Sequence, residues 1–369
     1  MTQFNGRTKI CYGTDAMEVL ENIKAKSAFI VTDPFMVKSG FISRIISHLD
    51  RAGICHFVFD KVEPDPSLET IKKGTVDLLN HKADLVIALG GGSAIDAAKA
   101  IMYFGCKALN DEKKPTLVAI PTTSGTGSEV TAISVVTDKE NEIKIPLVDE
   151  LMIPDMAILD ARFTRTVPPQ VTAATGMDVL THAIEAYTSR GSNAFTNIYS
   201  EYAIKYVFRF LMRAYKNGDD MEARENMLLA SCMAGMAFNN SGLGITHSIA
   251  HSLGGMYHIP HGKANSMMLP YVIRFNSFDV GDKYRLIAEM VGYQGSSVEE
   301  GTEFLIQSIY NLNKEMGIPV KISEAGVNEK DFMDDLSILS KHAVDDACTK
   351  GNPRQPSEGD ITNILLKAY

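Results

Sequence analysis

Asp178 and His182 stand four residues apart, and His247, His251, His258 and His261 crowd into fifteen residues further on. Carboxylate oxygen and neutral imidazole nitrogen are good ligands for a divalent transition metal. On a helix, side chains at i and i+4 share a face, which covers both Asp178 with His182 and His247 with His251. His261 lies beyond Gly254-Gly255 and a short loop through Pro260. One carboxylate and three imidazoles would hold a metal and leave positions open for water or a substrate oxygen, as catalysis needs. A lone Asp/His pair is usually an accident of a helix surface. Here five of the chain's nine histidines gather in one region, and that crowding points to a metal site. His258, on the loop, reads equally well as a solvated side chain.

A second chemistry precedes it. Gly90-Gly91-Gly92-Ser93 follows an apolar run and opens a helical pattern, the arrangement in which backbone N–H groups meet a phosphate. Ser93-Ala-Ile-Asp96 also fits a capping box. Pro121-Thr-Thr-Ser-Gly-Thr-Gly-Ser-Glu129 is another such turn, too polar and flexible for a core connection. Asp33 ends an earlier strand, where a carboxylate accepts from ribose hydroxyls and repels a 2′-phosphate, so the reading is NAD rather than NADP. The competing reading of Asp33 is a turn residue before Pro34. Thr131, Ile133 and Val135 alternate along one expected strand and share a face, turned to a ligand cleft or to the core.

The elements that must position these groups fall into two halves. Ser27–Thr32, Ile54–Phe59, Asp84–Leu89 and Leu117–Ile120 read as buried strands alternating with helices over about 36–51, 67–81 and 93–104. That alternation predicts a mostly parallel, Rossmann-like α/β sheet. Val130–Thr137 and Glu142–Val148 read as an added hairpin. After Thr166-Val-Pro-Pro169 the pattern becomes helical, with Ala173–Tyr187, Phe195–Tyr215, Met221–Phe238 and Thr246–Gly255 in succession. The expectation is a dinucleotide-binding domain over 1–165 and an all-helical metal-binding domain over 166–369.

Composition narrows the rest. The net charge of −9 is spread along the chain without a basic stripe, which argues against nucleic acid. Cys11, Cys55, Cys106, Cys232 and Cys348 are scattered, odd in number and never paired as C-x-x-C. They form neither a disulfide framework nor a thiolate zinc site. No apolar run reaches the length of a signal peptide core or a membrane span, so the chain reads as a cytoplasmic protein without membrane contact.

Five segments carry a resemblance: Gly90–Lys99, Pro121–Thr131, Thr175–Glu185, His247–Gly255 and Pro260-His261-Gly262. They are similar to the iron-containing, or group III, alcohol dehydrogenase family, over nearly the whole chain. Segments 154–160, 167–173 and 235–238 most resemble its propanol dehydrogenase subgroup from diol-utilisation microcompartments. The resemblance implies Asp178, His182, His247 and His261 as ligands of ferrous iron, zinc being the competing metal, with His251 beside the metal but not bound to it; one turn from a ligand, His251 is placed to relay the hydroxyl proton. It implies cofactor contacts from Asp33, Gly91, Gly92, Ser93, Thr122, Thr123, Thr131, Val135 and Lys144. Phe238 would line the substrate pocket, to which Ile133 is also assigned from its strand face. Ala94 and Asp65 depart from the proline and asparagine common in the family, and the second departure puts a cofactor contact by Asp65 in doubt. The implied activity is NAD(H)-dependent oxidation of short primary alcohols or reduction of their aldehydes, with the substrate oxygen at the metal. A homodimer and association with a microcompartment are also implied.

Two rivals share the metal and the nucleotide. A glycerol- or diol-type dehydrogenase differs by preferring polyols. A dehydroquinate-synthase-like lyase takes a polyanion and needs gathered Lys and Arg, whereas residues 230–270 hold only Lys263.

Overall fold

The computed structural model describes residues 3–109, 114–140 and 143–369. Glu142, expected to open a hairpin strand, lies outside them.

Residues Gly6–Val167 form one unit. In chain order it holds β1 (Lys9–Tyr12), β2 (Ser27–Thr32), α1 (Pro34–Lys38), α2 (Ile42–Arg51), β3 (Cys55–Phe59), α3 (Leu68–His81), β4 (Leu85–Gly90), α4 (Gly92–Leu109), β5 (Thr116–Pro121), β6 (Ile133–Asp138), β7 (Ile143–Val148) and β8 (Met156–Leu159). Six strands make a parallel sheet in the order β1-β8-β5-β4-β2-β3, and β6 and β7 pair antiparallel. Parallel strands are covered on both faces, so their sequences run apolar without a break. Phe29 and Val31 pack with Val86 and Ala88 on one face; Ile30 packs with Ile87 and Leu89 on the other. Each of the larger side chains among these stabilises the fold by about 1.5–3 kcal/mol relative to exposure.

β2 connects to β3 on one side, and the chain then returns to place β4 on the other side of β2. The strand order therefore reverses between β2 and β4, the position where open α/β sheets bind ligands at their carboxyl ends. Asp33 follows β2 and the glycines close β4.

Three local expectations are corrected. The helix over 36–51 is two helices, broken at Ser39-Gly40. The capping box at Ser93 does not form, because Asp96 turns away and accepts from Ser128 Oγ at 2.6 Å and Val135 N at 3.0 Å. Thr131 precedes β6 and is buried, so it shares no strand face with Ile133 and Val135. Ser134 and Val136 take the inward positions of β6, leaving Ile133 and Val135 half-buried on the other face.

The second unit runs from Pro168 to Tyr369 and is helical: α5 (Pro169–Thr188), α6 (Ala194–Lys216), α7 (Met221–Ser241), α8 (Ile245–Tyr257), α9 (His261–Met290), α10 (Val298–Met316), α11 (Glu329–Asp345) and α12 (Glu358–Ala368). The division thus falls at Val167/Pro168, and the N-terminal Phe4 and Asn5 go with the helices. Phe4 stacks on Phe195 and Tyr199, and Asn5 N–H donates to Asn240 at 2.6 Å. Every residue of α5 from Gly176 to Thr188 is buried. A helix buried on all sides must find partners for each polar group it carries inside. On α5 those groups include Asp178, His182 and Glu185. Among the described residues, no helix is long and apolar enough to cross a membrane.

Candidate metal centre and nucleotide loops

Asp178 sits two turns into α5 and is 4% exposed, with His182 one turn on. His247 enters from α8 and His261 from the first residue of α9. Asp178 Oδ1 is 3.5 Å from His261 Nε2 and 3.9 Å from His247 Nε2, and its Oδ2 is 4.0 Å from His182 Nδ1. Ligand atoms of Asp178, His247 and His261 all lie within 4.8 Å of one another. His182 stacks between Phe238, at a centroid distance of 4.5 Å, and His247, at 4.6 Å. Asn265 Nδ2 donates to Asp178 Oδ1 at 2.7 Å and reaches His261 Nε2 at 3.0 Å.

Two buried nitrogens, His182 Nδ1 and His247 Nε2, have no hydrogen-bond partner. A buried polar atom left unpaired costs about 1–3 kcal/mol, which coordination to a cation would remove. Burial alone would raise the Asp178 carboxyl. The imidazoles of His182, His261 and His247 and the Asn265 amide outweigh that and hold it below its ordinary range. Burial, with its imidazole neighbours, drives His247 well below its usual value, so it is neutral, the form that binds a metal. One carboxylate and a set of imidazoles that includes two unpartnered nitrogens fit a divalent transition metal.

His251 is exposed and stacks on His261 at 5.3 Å. Its Nδ1 pairs with Asp346 Oδ2 at 3.0 Å, and Asp346 also accepts from Ser248 Oγ at 3.2 Å and Cys348 N at 2.8 Å. Burial would raise the Asp346 carboxyl, but His251 and Cys348 bring it down to about 2. His258 is the exposed left-handed residue that ends α8, outside the cluster. Sequence reading missed Asn265, Asp346 and Glu185. Only Glu185 carried a local signal, three residues beyond His182 and seven beyond Asp178.

In the α/β unit, Asp33 Oδ1 accepts from Phe35 N at 2.8 Å and Met36 N at 3.1 Å, capping α1. The turn reading of Asp33 is therefore real, and it uses one carboxylate oxygen. The other faces Gly90: a Cβ there would lie 3.4 Å from Asp33 Oδ2 and 2.6 Å from Ala94 Cβ, and the φ of +150° also favours glycine. Gly91 and Gly92 face Thr123 and Thr126, so the two polar loops pack against each other. Behind them Lys99, fully buried, donates to Ser128 Oγ at 2.8 Å, Thr131 Oγ1 at 3.1 Å and Ile133 O at 2.9 Å. Burial brings the Lys99 amine down to about 8 and pushes the neighbouring Glu129 carboxyl up to about 7. Thr122 is buried at the end of β5. Lys144 is exposed and pairs with Asp65 Oδ1 at 2.7 Å, while Asp65 N–H donates to Ser93 Oγ at 3.3 Å.

A parallel sheet with glycine loops at its reversal point, and a helical unit with a carboxylate–imidazole cluster, define the class: a metal-binding, NAD(P)-linked oxidoreductase. Residues 7–161 match the family model for iron-containing alcohol dehydrogenase, and residues 172–369 match the C-terminal model of the Fe-containing alcohol dehydrogenase family. The chain belongs to the iron-containing alcohol dehydrogenase family and is an alcohol dehydrogenase by class. It is 43% identical over 383 residues to an NADPH-dependent butanol dehydrogenase of Clostridium saccharobutylicum, covering 100% of this chain and 98% of that relative. It is 38% identical over 361 residues to an NAD-dependent methanol dehydrogenase of Bacillus methanolicus, covering 95% and 94%. The crystal structure of a 1,3-propanediol oxidoreductase superposes with a TM-score of 0.94 at 34% identity, covering all of both chains.

Proposed function

We propose that the chain interconverts short primary alcohols and their aldehydes, in the propanol and propanal range, by hydride exchange with NAD. Asp178, His182, His247 and His261 hold ferrous iron. The observation that carries this reading is the pair of buried, unpartnered nitrogens, His182 Nδ1 and His247 Nε2, beside the Asp178 carboxylate. A divalent metal in that position supplies a Lewis acid for the substrate oxygen.

The chain's own residues do the rest. Phe238, stacked on His182, gives the substrate an apolar wall that favours an unbranched chain over a polyol. His251, anchored through Nδ1 by Asp346, relays the hydroxyl proton through its other nitrogen. The first turn of α4 at Gly91, Gly92 and Ser93 offers N–H groups to the cofactor diphosphate. Thr122, Thr123, Thr131, Val135 and Lys144 complete the cofactor contacts. The free oxygen of Asp33 favours a ribose hydroxyl over a 2′-phosphate, which supports NAD. The NADPH dependence of the Clostridium relative supports the opposite choice. The α/β unit, Gly6–Val167, serves the nucleotide and the helical unit from Pro168 the metal and substrate; the working form is a homodimer associated with a microcompartment.

The test is a panel of acetaldehyde, propanal, butanal, lactaldehyde and 3-hydroxypropanal with NADH or NADPH, on anaerobic protein loaded with iron or with zinc. Highest kcat/KM for propanal with NADH and iron is expected. A clear preference for the hydroxylated aldehydes would replace the reading with a diol-type dehydrogenase. A preference for NADPH would overturn the role of Asp33. Light scattering and co-purification with compartment shells check the assembly.

A further inference from the structure

Two carboxylates leave α5 towards the imidazoles, and the proposed function uses only Asp178. Asp178, His182 and Glu185 stand at i, i+4 and i+7, so they form one stripe along the helix. Glu185 is 4% exposed. Its Oε2 accepts from His247 Nδ1 at 2.6 Å and from Gly244 N–H at 2.9 Å, and its Oε1 accepts from Thr246 N–H at 2.7 Å. The backbone before α8 comes so close that a Cβ on Gly244 would lie 2.9 Å from Glu185 Oε1 and 2.7 Å from Asn352 Oδ1. Three donors on two oxygens leave the carboxylate little freedom to turn.

Backbone N–H groups of Gly244 and Thr246 already donate to both carboxylate oxygens, which places Glu185 as the acceptor and assigns the hydrogen in the 2.6 Å contact to His247 Nδ1. A neutral imidazole carries one hydrogen, which leaves Nε2 with a bare lone pair. That nitrogen is the buried, unpartnered atom 3.9 Å from Asp178 Oδ1. With the proton on Nε2 instead, two buried acceptors would meet at 2.6 Å and the nitrogen facing Asp178 could not bind a cation.

We propose that Glu185 is a positioning residue for the metal centre: it holds His247 as the Nδ1–H tautomer and aims the Nε2 lone pair at the space beside Asp178. This rests on the metal site at Asp178, His247 and His261. A purely structural role, anchoring the N-terminus of α8 through Gly244 and Thr246, would leave cation affinity independent of His247.

Cobalt(II) titration of the chelator-stripped full-length protein, followed by its visible absorption, separates the outcomes. Glu185→Gln should weaken cobalt binding about ten- to hundredfold. In a His247→Ala background the same change should cost no further affinity, because Glu185 acts through that ring. Additive losses in the two backgrounds, or an unchanged affinity in Glu185→Gln, would overturn the proposal alone. If wild-type protein binds cobalt no better than Asp178→Ala, the metal site itself fails. Should Glu185→Gln not fold, the 15N shifts of the His247 ring in metal-free wild-type protein decide the same point. Protonated Nδ1 with bare Nε2 is expected, and a proton on Nε2 overturns the assignment.

Discussion

The imidazole cluster and the glycine loops face the same physical problem, polar atoms held inside a fold, and resolve it in opposite ways. In the helical unit the buried nitrogens of His182 and His247 are left without partners next to a carboxylate. In the α/β unit the loop hydroxyls of Ser128 and Thr131 are tied to Lys99 and Asp96 by short hydrogen bonds. The first arrangement is incomplete and calls for a cation. The second is bonded internally except at Glu129 Oε1, and its glycines leave backbone N–H groups to face a ligand. Rigid helices let a unit carry the cost of unpaired ligands, whereas loops need internal bonds to keep a shape at all.

The largest test of that contrast is Asp178→Ala. Removing the one carboxylate among the candidate ligands should abolish metal retention and lower kcat/KM by about a thousandfold or more, the loss of several kcal/mol of Lewis-acid stabilisation. NADH affinity, read by fluorescence, should hold; a parallel loss would show that the two regions are not independent. His251→Ala should come next, with about a hundredfold lower kcat near neutral pH while the metal stays bound. An unchanged rate and pH profile would remove His251 from the proton path.

Asp33→Asn keeps an oxygen to cap α1 but drops the charge. The ratio of kcat/KM for NADPH to that for NADH should rise about tenfold, corresponding to about 1.4 kcal/mol. No change in the ratio would leave Asp33 as a cap only.

The smallest effect concerns stability. Burial raises the Glu129 carboxyl from 4.5 to about 7, so between those values the folded chain binds a proton that the unfolded chain has lost. Its contribution is present below pH 4.5 and disappears as pH rises through 7, with a slope of at most about 1.4 kcal/mol per pH unit. Glu129→Gln should flatten that part of the stability curve, measured by urea unfolding from pH 5 to 8. An identical slope in both proteins would mean that Glu129 is ionised at a cost paid elsewhere in the loop network.

Much of this architecture was legible along the chain. Ser27–Thr32 is a strand at the residues expected, because a continuous β-branched and apolar run has few other ways to be buried. The helices from Pro169 to Tyr257 followed from their period within a few residues at each end. β1 (Lys9–Tyr12) and β8 (Met156–Leu159) were missed: each has four residues, and β1, on the sheet edge, lacks a buried face. The break between α1 and α2 and the lost capping box went the same way, since Asp96 found partners more than thirty residues away.

For the sites the division is similar. The types and spacing of Asp178, His182, His247 and His261 pointed to metal chemistry, because i,i+4 neighbours on a helix share a face whatever surrounds them. Spacing could not say which nitrogen of His247 is bare. That depends on Glu185, sixty-two residues earlier in the chain, and on a glycine that lets the backbone come within reach. Nor could it show that His251 Nδ1 is held by Asp346, ninety-five residues later. The sequence alone determined which groups are present and which share a helix face, since those depend on local geometry. Only the tertiary structure decided how each group is protonated, paired and aimed, since burial and partners come from segments that meet only in the folded chain.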